Sequence, residues 1–260
     1  MPFATAPDGA RIYYETAGAG EPLLLISGQG GDHHGWDEVR TDFTDRYRTI
    51  SFDHRGTGAS DKPDVPYSTR GFAADAVAVL DAAGVDRAHA YGTSMGGRIA
   101  QWLGIEHSDR FGTLVLGCTT PGDAHGVARS ADAGRRLRAV TTPENVLSHR
   151  LIGFTQEWID AHPEVLVITE PLPEPARTLH YRASQGHDTW DLLPRISTPT
   201  LVIHGGDDEL NPTANAPLLA GRIPGAELHI VPRGRHSFFV EFRAESTAVV
   251  RDFLSRHPLS

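Results

Sequence analysis

The sequence predicts an α/β fold with a mostly parallel sheet, and three observations support this. Short segments rich in apolar and β-branched residues alternate with amphipathic helical stretches, as in sheets whose parallel strands are joined by helices on both faces. A glycine-rich pentapeptide, residues 92–96, lies at one of the strand-to-helix junctions. The chain has 260 residues, enough to bury a large core, and α/β folds of this size often form one domain.

The predicted elements follow one another in a regular order. Eight strand-like segments lie near residues 2–6, 11–16, 23–27, 48–53, 87–91, 113–118, 200–205 and 227–231. The first two flank Asp8-Gly9, which predicts a hairpin. Apolar residues at helical spacing predict helices near residues 35–46, 69–83, 95–107, 213–222 and 241–255.

The strand pattern is interrupted between residues 119 and 196. Helical stretches at 143–152 and 156–168 take its place, and the prolines of residues 170–175 predict a stiff loop. We therefore predict a core formed by residues 1–118 and 197–260, with a helical insert over residues 119–196.

The most informative segment is Gly92-Thr93-Ser94-Met95-Gly96, a G-x-S-x-G pattern. A sharp turn from strand to helix lifts a serine hydroxyl clear of its neighbours, but it crowds the positions two before and two after, which here are glycine. The following helix directs free N–H groups and its positive dipole end towards a developing oxyanion. A glycine-rich turn that merely contains serine would have the same sequence, so the assignment of Ser94 as a nucleophile depends on partners elsewhere.

An acid and a histidine follow Ser94 in the chain order that such a site requires. Asp207 and Asp208 lie in the turn after the seventh predicted strand, and His236 lies in the loop after the eighth. An Asp-Asp turn is more often a solvated loop or a helix cap. Fourteen histidines are present, so number alone does not identify the base. The other candidates considered are His33, His34, His54, His187 and His204. Unlike these five, His236 follows both the acid and the last strand, which favours a triad.

The chain resembles the α/β-hydrolase fold family over nearly its whole length. The similarity lies in the glycine segment 27–31, the turn 51–60, the pentapeptide, the acid turn 205–212 and the loop 234–236. The resemblance implies an eight-stranded, mostly parallel sheet flanked by helices, with the insert forming a helical cap. It also implies that the catalytic residues are Ser94, Asp208 and His236, with Asp208 rather than Asp207 as the acid.

The resemblance further implies an oxyanion hole formed by the backbone N–H groups of Gln29 and Met95. The sequence departs from the family pattern at this point, because Ser27-Gly28 stands where the family usually has histidine-glycine. A backbone donor is retained despite this change, but a side chain that usually fixes the loop is missing.

These residues predict a serine hydrolase that cleaves a small-molecule carboxylic ester or lactone through an acyl-serine intermediate. The segment 94–104 is similar to that of 3-oxoadipate enol-lactonases, and Arg98 within it could meet a substrate carboxylate, although a solvated surface position is the more ordinary expectation. Three alternatives use the same fold and triad: a cofactor-free haloperoxidase-like enzyme, a C–C bond hydrolase and a non-enzymatic small-molecule receptor.

Composition indicates which binding partners and which cellular location to expect. The net charge of −9 argues against nucleic acids and anionic membranes as partners. Cys118 is the only cysteine, so no intramolecular disulfide can form. No signal peptide or long apolar run is evident, which predicts a cytoplasmic enzyme, and the arginine-rich composition with one lysine is typical of a GC-rich bacterial genome.

We expect neither a cofactor nor a metal ion. A metal site would need convergent histidines and carboxylates, whereas the adjacent His33 and His34 should direct their rings apart in a loop. The glycine segment 28–31 lacks the Lys-Ser/Thr of a phosphate loop. The sequence leaves the oligomeric state open, including a homo-oligomer.

Overall fold

Eight strands form a single sheet in the computed structural model, which describes residues 2–138, 143–167 and 172–259. The strands are β1 (Phe3–Thr5), β2 (Arg11–Ala17), β3 (Glu21–Ile26), β4 (Tyr47–Phe52), β5 (Ala88–Thr93), β6 (Phe111–Gly117), β7 (Thr200–Gly205) and β8 (Glu227–Val231). Their spatial order is β1-β2-β4-β3-β5-β6-β7-β8. β1 and β2 form the predicted hairpin, β2 pairs antiparallel with β4, and the remaining pairs are parallel. The predicted fold class is confirmed.

The central strands are buried on both faces, which explains their continuous apolar sequences. β5, β6 and β7 are buried along their whole length. Successive side chains of β3 enter opposite cores: Leu24 and Ile26 belong to one apolar cluster, whereas Leu23 and Leu25 belong to the other.

Helices cover the two faces of this sheet. The first core includes apolar residues of α2 (Thr69–Ala82), α3 (Met95–Glu106) and α8 (Asn215–Arg222). The second core includes residues of the short helices α1 (Asp37–Arg40) and α9 (Phe238–Glu241) and of α10 (Arg243–Ser255). The parallel strands therefore present their carboxyl ends at one edge, where ligand sites of open α/β sheets lie.

The first predicted helix, over residues 35–46, is largely wrong. The structure has a 3₁₀ turn at His33–Trp36, the single turn of α1, and then non-helical turns up to β4. The hydroxyl of Thr41 donates to the carbonyl of Glu38 at 2.7 Å, and that of Thr44 donates to the carbonyl of Thr41 at 3.1 Å. Such local side-chain bonds offer the backbone an alternative to a continued helix.

Between residues 119 and 196 the described residues form four α-helices. These are α4 (Ala131–Arg138), α5 (Pro143–Gly153), α6 (Gln156–Ala161) and α7 (Ala176–Gln185). The only extended pairing described there is an isolated bridge between Gly122 and Asp188. The helix predicted to reach residue 168 ends at Ala161, because Pro163 begins a 3₁₀ turn. Residue 168 lies outside the described residues, and so do the first two residues of the predicted proline loop. The division into core and cap stays a prediction.

Within the described ranges, no helix combines the length and the apolar character needed to cross a membrane.

Candidate active site

Ser94 lies at the junction of β5 and α3, in a backbone conformation that few residues adopt. Its φ is 56° and its ψ is −117°. Non-glycine residues with positive φ are uncommon and concentrate at functional sites. The carbonyl oxygen of Ser94 accepts hydrogen bonds from the backbone N–H groups of Gly97 and Arg98, which start the helix, and from the Thr119 hydroxyl at 2.7 Å. These contacts fix the turn that presents the Ser94 hydroxyl.

The glycines on either side of Ser94 are required by close backbone approach. A Cβ atom on Gly92 would lie 2.2 Å from the carbonyl oxygen of Gly96, and one on Gly96 would lie 2.1 Å from that of Ile26. No side chain fits at either position without moving backbone. This is the physical reason for the glycines of the pentapeptide, as the sequence predicted.

Asp208 and His236 meet at the carboxyl ends of β7 and β8. Nδ1 of His236 lies 2.8 Å from Oδ2 of Asp208. The other carboxylate oxygen accepts the backbone N–H groups of Leu210 and Asn211 at 2.8 and 2.9 Å. Asp208 is buried, whereas Asp207 is exposed. The structure therefore brings His236 against the acid that the sequence favoured.

The surroundings of Asp208 keep it ionised. Burial alone would raise its pKa, but the charge of His236 and the hydrogen bonds from His204 and His236 bring the pKa well below its usual range. An ionised carboxylate can only accept, so the proton of a neutral His236 ring resides on Nδ1. Nε2 of His236 is then left as the basic nitrogen.

His204 is a further neighbour of the acid that the sequence did not identify. Its Nε2 lies 2.7 Å from the carbonyl oxygen of Asn211, which can only accept, so this nitrogen carries a proton. The same N–H faces Oδ2 of Asp208 at 3.2 Å. His204 thus helps to hold the carboxylate in place from the end of β7.

The predicted oxyanion loop, residues 27–31, passes directly beside Ser94. A Cβ atom on Gly28 would lie 3.3 Å from Cβ of Ser94. The backbone N–H of Gly30 donates to Nδ1 of His180 at 3.3 Å, and that of Gly31 donates to the carbonyl of Gly28 at 3.1 Å. By contrast, the backbone N–H groups of Gln29 and Met95 have no acceptor among the residues that the structure describes. Two backbone N–H groups that lack a described acceptor and lie beside a serine can stabilise an oxyanion.

Three side chains fix this loop in place of the family's usual histidine. The hydroxyl of Ser27 donates to the carbonyl of Asp32 at 2.8 Å, and Nε2 of His54 donates to the carbonyl of Ser27 at 2.9 Å. His180, on α7, accepts from Gly30 and donates from Nε2 to the carbonyl of Arg55 at 2.8 Å. Burial lowers the pKa of His180 and lowers that of His54 to about 4, so both rings are neutral near pH 7.

A cavity of about 310 Å³ opens between these groups. Its described lining includes Gly28, Gln29, Ser94, His236, Arg98 and Phe239. The serine, the histidine and the loop with the free N–H of Gln29 therefore border one space large enough for a small ligand.

Comparisons with known proteins identify the family. The sequence model of the alpha/beta hydrolase fold matches residues 21–242. The chain belongs to the α/β-hydrolase family. A relative from Azorhizobium caulinodans, named "Putative carbamate hydrolase RutD", is 32% identical over 249 residues, which cover 92% of each chain.

Two solved structures of the family superpose closely on this chain. Est816, described as an N-acyl homoserine lactone degrading enzyme, has a TM-score of 0.83 at 29% identity and covers 97% of this chain and 100% of its own. The enol-lactonase from Burkholderia xenovorans LB400 has a TM-score of 0.82 at 26% identity and covers 98% of this chain and 100% of its own.

One cluster in this α/β hydrolase has the geometry to hold a metal ion. Potential ligand atoms of Asp32, His33 and Asp53 lie within 4.8 Å of one another. These atoms already have partners: Nδ1 of His33 lies 2.6 Å from Oδ1 of Asp53, whose Oδ2 accepts the N–H of Ala59 at 2.7 Å. Nδ1 of His33, which donates to this carboxylate, has no lone pair for a metal, and Nε2 of the same ring lies 3.6 Å from Oε1 of Glu15. The cluster fits a structural role better than a metal site.

Two predictions about individual side chains near the site are wrong. The rings of His33 and His34 do not point apart, since their centroids lie 3.9 Å from each other. Arg98 is not a solvated surface arginine: only 3% of its surface is exposed, because α3 packs this face beneath residues 120 and 184. The signal for its burial was the small Gly97 beside it, where a Cβ would lie 2.6 Å from that of Thr119.

Proposed function

We propose that this α/β hydrolase is a serine hydrolase that cleaves a small carboxylic ester or lactone through an acyl-Ser94 intermediate. The observation that carries the proposal is the Asp208–His236 pair, 2.8 Å apart, opening onto the cavity that Ser94 also lines. An acid, a base and a nucleophile in that arrangement suit acyl transfer.

The first half of the reaction forms the acyl-enzyme. Nε2 of His236 removes the proton of the Ser94 hydroxyl as Oγ attacks the substrate carbonyl. Asp208 orients the ring and stabilises the imidazolium that results. The N–H groups of Gln29 and Met95 donate to the oxyanion of the tetrahedral intermediate. The imidazolium then protonates the leaving alkoxide, and the ester bond breaks.

The second half returns the enzyme to its starting state. His236 removes a proton from water, which attacks the acyl carbon, and the same N–H groups stabilise the second oxyanion. The proton then passes from His236 to Oγ of Ser94 as the acyl group leaves as a carboxylic acid. With a lactone, the alcohol released in the first half remains part of the same product.

A carbamate is the second candidate substrate, because the RutD relative shares 92% of its length with this chain at 32% identity. The same nucleophile, base and oxyanion donors would attack a carbamate carbonyl. The two classes differ in the leaving group and in the lower reactivity of the carbamate carbonyl, and not in the residues required.

A substrate panel with a nucleophile control tests the proposal. Wild type and Ser94→Ala would be compared on 4-nitrophenyl acetate, simple lactones and an aryl carbamate, with a fluorophosphonate label to report the active serine. We expect labelling and turnover in wild type, and a loss on the order of a millionfold in kcat in Ser94→Ala. Similar rates in the two proteins would exclude Ser94 as the nucleophile. A slow single turnover, with marked stabilisation by ligand, would favour the receptor alternative.

A further inference from the structure

A second cavity adjoins the one at Ser94 and is larger, about 560 Å³. The two share five described lining residues: Arg98, Arg129, Leu137, Leu210 and Asn211. A substrate whose reacting carbonyl lies at Ser94 can therefore extend from the first cavity into the second.

The charges that line these cavities are opposite in sign to that of the whole protein. The first cavity has two arginines and no acidic side chain in its described lining. The second has four arginines, namely Arg98, Arg129, Arg135 and Arg138, against one acidic residue, Asp123. The chain as a whole has a net charge of −9. A concave site lined by one sign of charge concentrates ligands of the other sign.

Arg98 stands at the boundary of the two cavities with its position fixed. One terminal nitrogen donates to the carbonyl and the hydroxyl of Ser184, the latter at 3.1 Å, and the other donates to the Thr120 hydroxyl at 2.8 Å. Its nearest described carboxylate, Asp123, is 3.6 Å away and half exposed. Nε of Arg98 is buried and has no acceptor among the described residues. The charge is therefore held rigidly and only partly neutralised.

Arg129 places a second positive charge on the same space. It is half-buried, lines both cavities, and forms neither an ion pair nor a hydrogen bond with any residue described by the structure. Its charge acts on Arg98, whose pKa is lowered to about 10, first by burial and then by this repulsion. Two guanidinium groups beside one cavity, one of them without a partner among the described residues, are typical of a site completed by an anion.

We propose that Arg129 and Arg98 form a subsite for a carboxylate on the substrate, so that the preferred ester or lactone is an anion. The inference rests on the proposed function for the identity of the reacting bond. Three N–H groups of Arg98 already have protein acceptors, so most of the free donors at the subsite belong to Arg129. The planar fork of one guanidinium matches the two oxygens of a carboxylate.

Matched pairs of substrates test this subsite. The pairs are 4-nitrophenyl esters of succinate, glutarate and adipate whose far end is either a free carboxylate or the neutral carboxamide of the same shape. We expect wild type to prefer the carboxylate member of at least one pair by about tenfold in kcat/KM, the scale of one charged hydrogen bond. Salt should weaken the preference, since the cavity is open to solvent.

Variants of two arginines separate the subsite from a general charge effect. Arg129→Gln should reduce the preference roughly tenfold, and Arg129→Lys should restore part of it. Arg182→Gln is the control: it removes the same charge from an exposed position on α7 that lines neither cavity. We expect its preference to equal that of wild type. No preference in wild type, or an unchanged preference in Arg129→Gln, would overturn the proposal.

A binding measurement distinguishes failure of this inference from failure of the proposed function. Ser94→Ala protein would be titrated calorimetrically with anilide analogues of the glutarate pair, which lack a labile ester. Tighter binding of the anionic anilide, lost in the double variant Ser94→Ala/Arg129→Gln, supports the subsite even if no ester is turned over. Equal affinities for the two anilides overturn the subsite even if ester hydrolysis is established.

Discussion

The two sides of the active site are held by different parts of the chain. On the acid–base side, Asp208 and His236 lie in loops at the ends of neighbouring strands, and their nearest support, His204, is the penultimate residue of β7. On the oxyanion side, residues 27–31 are tied to His54, which follows β4, and to His180, which lies on α7 about 150 positions away. The first side is local to the sheet, whereas the second depends on a distant helix.

Because of this difference, we expect the two sides to respond differently to substitution. Changes on the acid–base side should act directly on proton transfer. Changes to the anchors of the oxyanion loop should act through the position of the Gln29 N–H, with smaller effects on rate.

Of the groups that support Ser94 on the two sides, the acid should have the largest effect. In Asp208→Asn the amide oxygen would accept the N–H groups of Leu210 and Asn211, and the amide NH2 would face Nδ1 of His236. The ring would then adopt the wrong tautomer, and we expect a loss on the order of ten-thousandfold in kcat. Asp207→Asn is the matched control, since Asp207 is adjacent but exposed. Steady-state kinetics on one ester check the ranking. A greater loss in Asp207→Asn would mean that the acid had been misassigned.

The next effect concerns the proposed oxyanion donor, the backbone N–H of Gln29. Gln29→Pro deletes the backbone N–H, and losing one such donor costs roughly a hundredfold to a thousandfold in kcat. Gln29→Ala keeps the N–H and should retain most activity. The pair is informative if both variants melt near the wild-type temperature. Equal activity in the two would exclude Gln29 as a donor and leave the oxyanion to other N–H groups.

A smaller effect is expected from the anchor on α7. His180→Leu would leave the N–H of Gly30 without its acceptor, and we expect kcat to fall roughly tenfold with little change in KM. His180→Asn offers an amide group near the position of Nδ1 and should recover part of kcat. A loss confined to KM, or equal kcat values in the two variants, would show that His180 does not act through the loop.

His54 should have the smallest effect on rate at neutral pH. Its effect on the free energy of unfolding, however, should be measurable. Its pKa is lowered from 6.5 to about 4, first by burial and then by His180, and its Nδ1 has no acceptor among the described residues. The unfolded chain therefore takes up this proton at higher pH than the folded protein. Stability from this group is complete above pH 6.5 and is lost as pH falls towards 4, by about 3 kcal/mol in all.

The matched variant for that measurement is His54→Gln. Glutamine keeps a donor towards the Ser27 carbonyl but does not titrate. Urea unfolding between pH 4 and pH 7 should give a steeper decline for wild type than for His54→Gln, the difference isolating His54 from the other buried histidines. Parallel curves would contradict the assignment.

The sequence predicted most of the fold, because burial of parallel strands imposes a strong local pattern. All eight strands were found within a few residues of their predicted bounds, and the glycines around Ser94 were explained by the turn itself. Strand order predicted that the acid turn and His236 lie close together, and the family resemblance implied Asp208 rather than Asp207 within that turn. The predicted helix over residues 35–46 is largely wrong. The spacing of apolar residues carries no information about threonine hydroxyls that donate hydrogen bonds to nearby backbone carbonyls.

The partners of the oxyanion loop could not be predicted in the same way. His54 and His180 carry no local motif, and their roles arise only when β4 and α7 are brought to the same edge of the sheet. Arg98 was misjudged for a related reason: its burial is created by residues 120 and 184, which are far from it in sequence.

The hydrogen bond between Gly30 and His180 has a consequence for protein engineering. Exchanging the segment around α7 between family members would also replace an anchor of the loop beside Ser94. A chimaera that replaces residues 176–185 without retaining a histidine at position 180 should turn over every substrate roughly tenfold more slowly, as expected for His180→Leu. Libraries that vary α7 should therefore keep histidine at position 180.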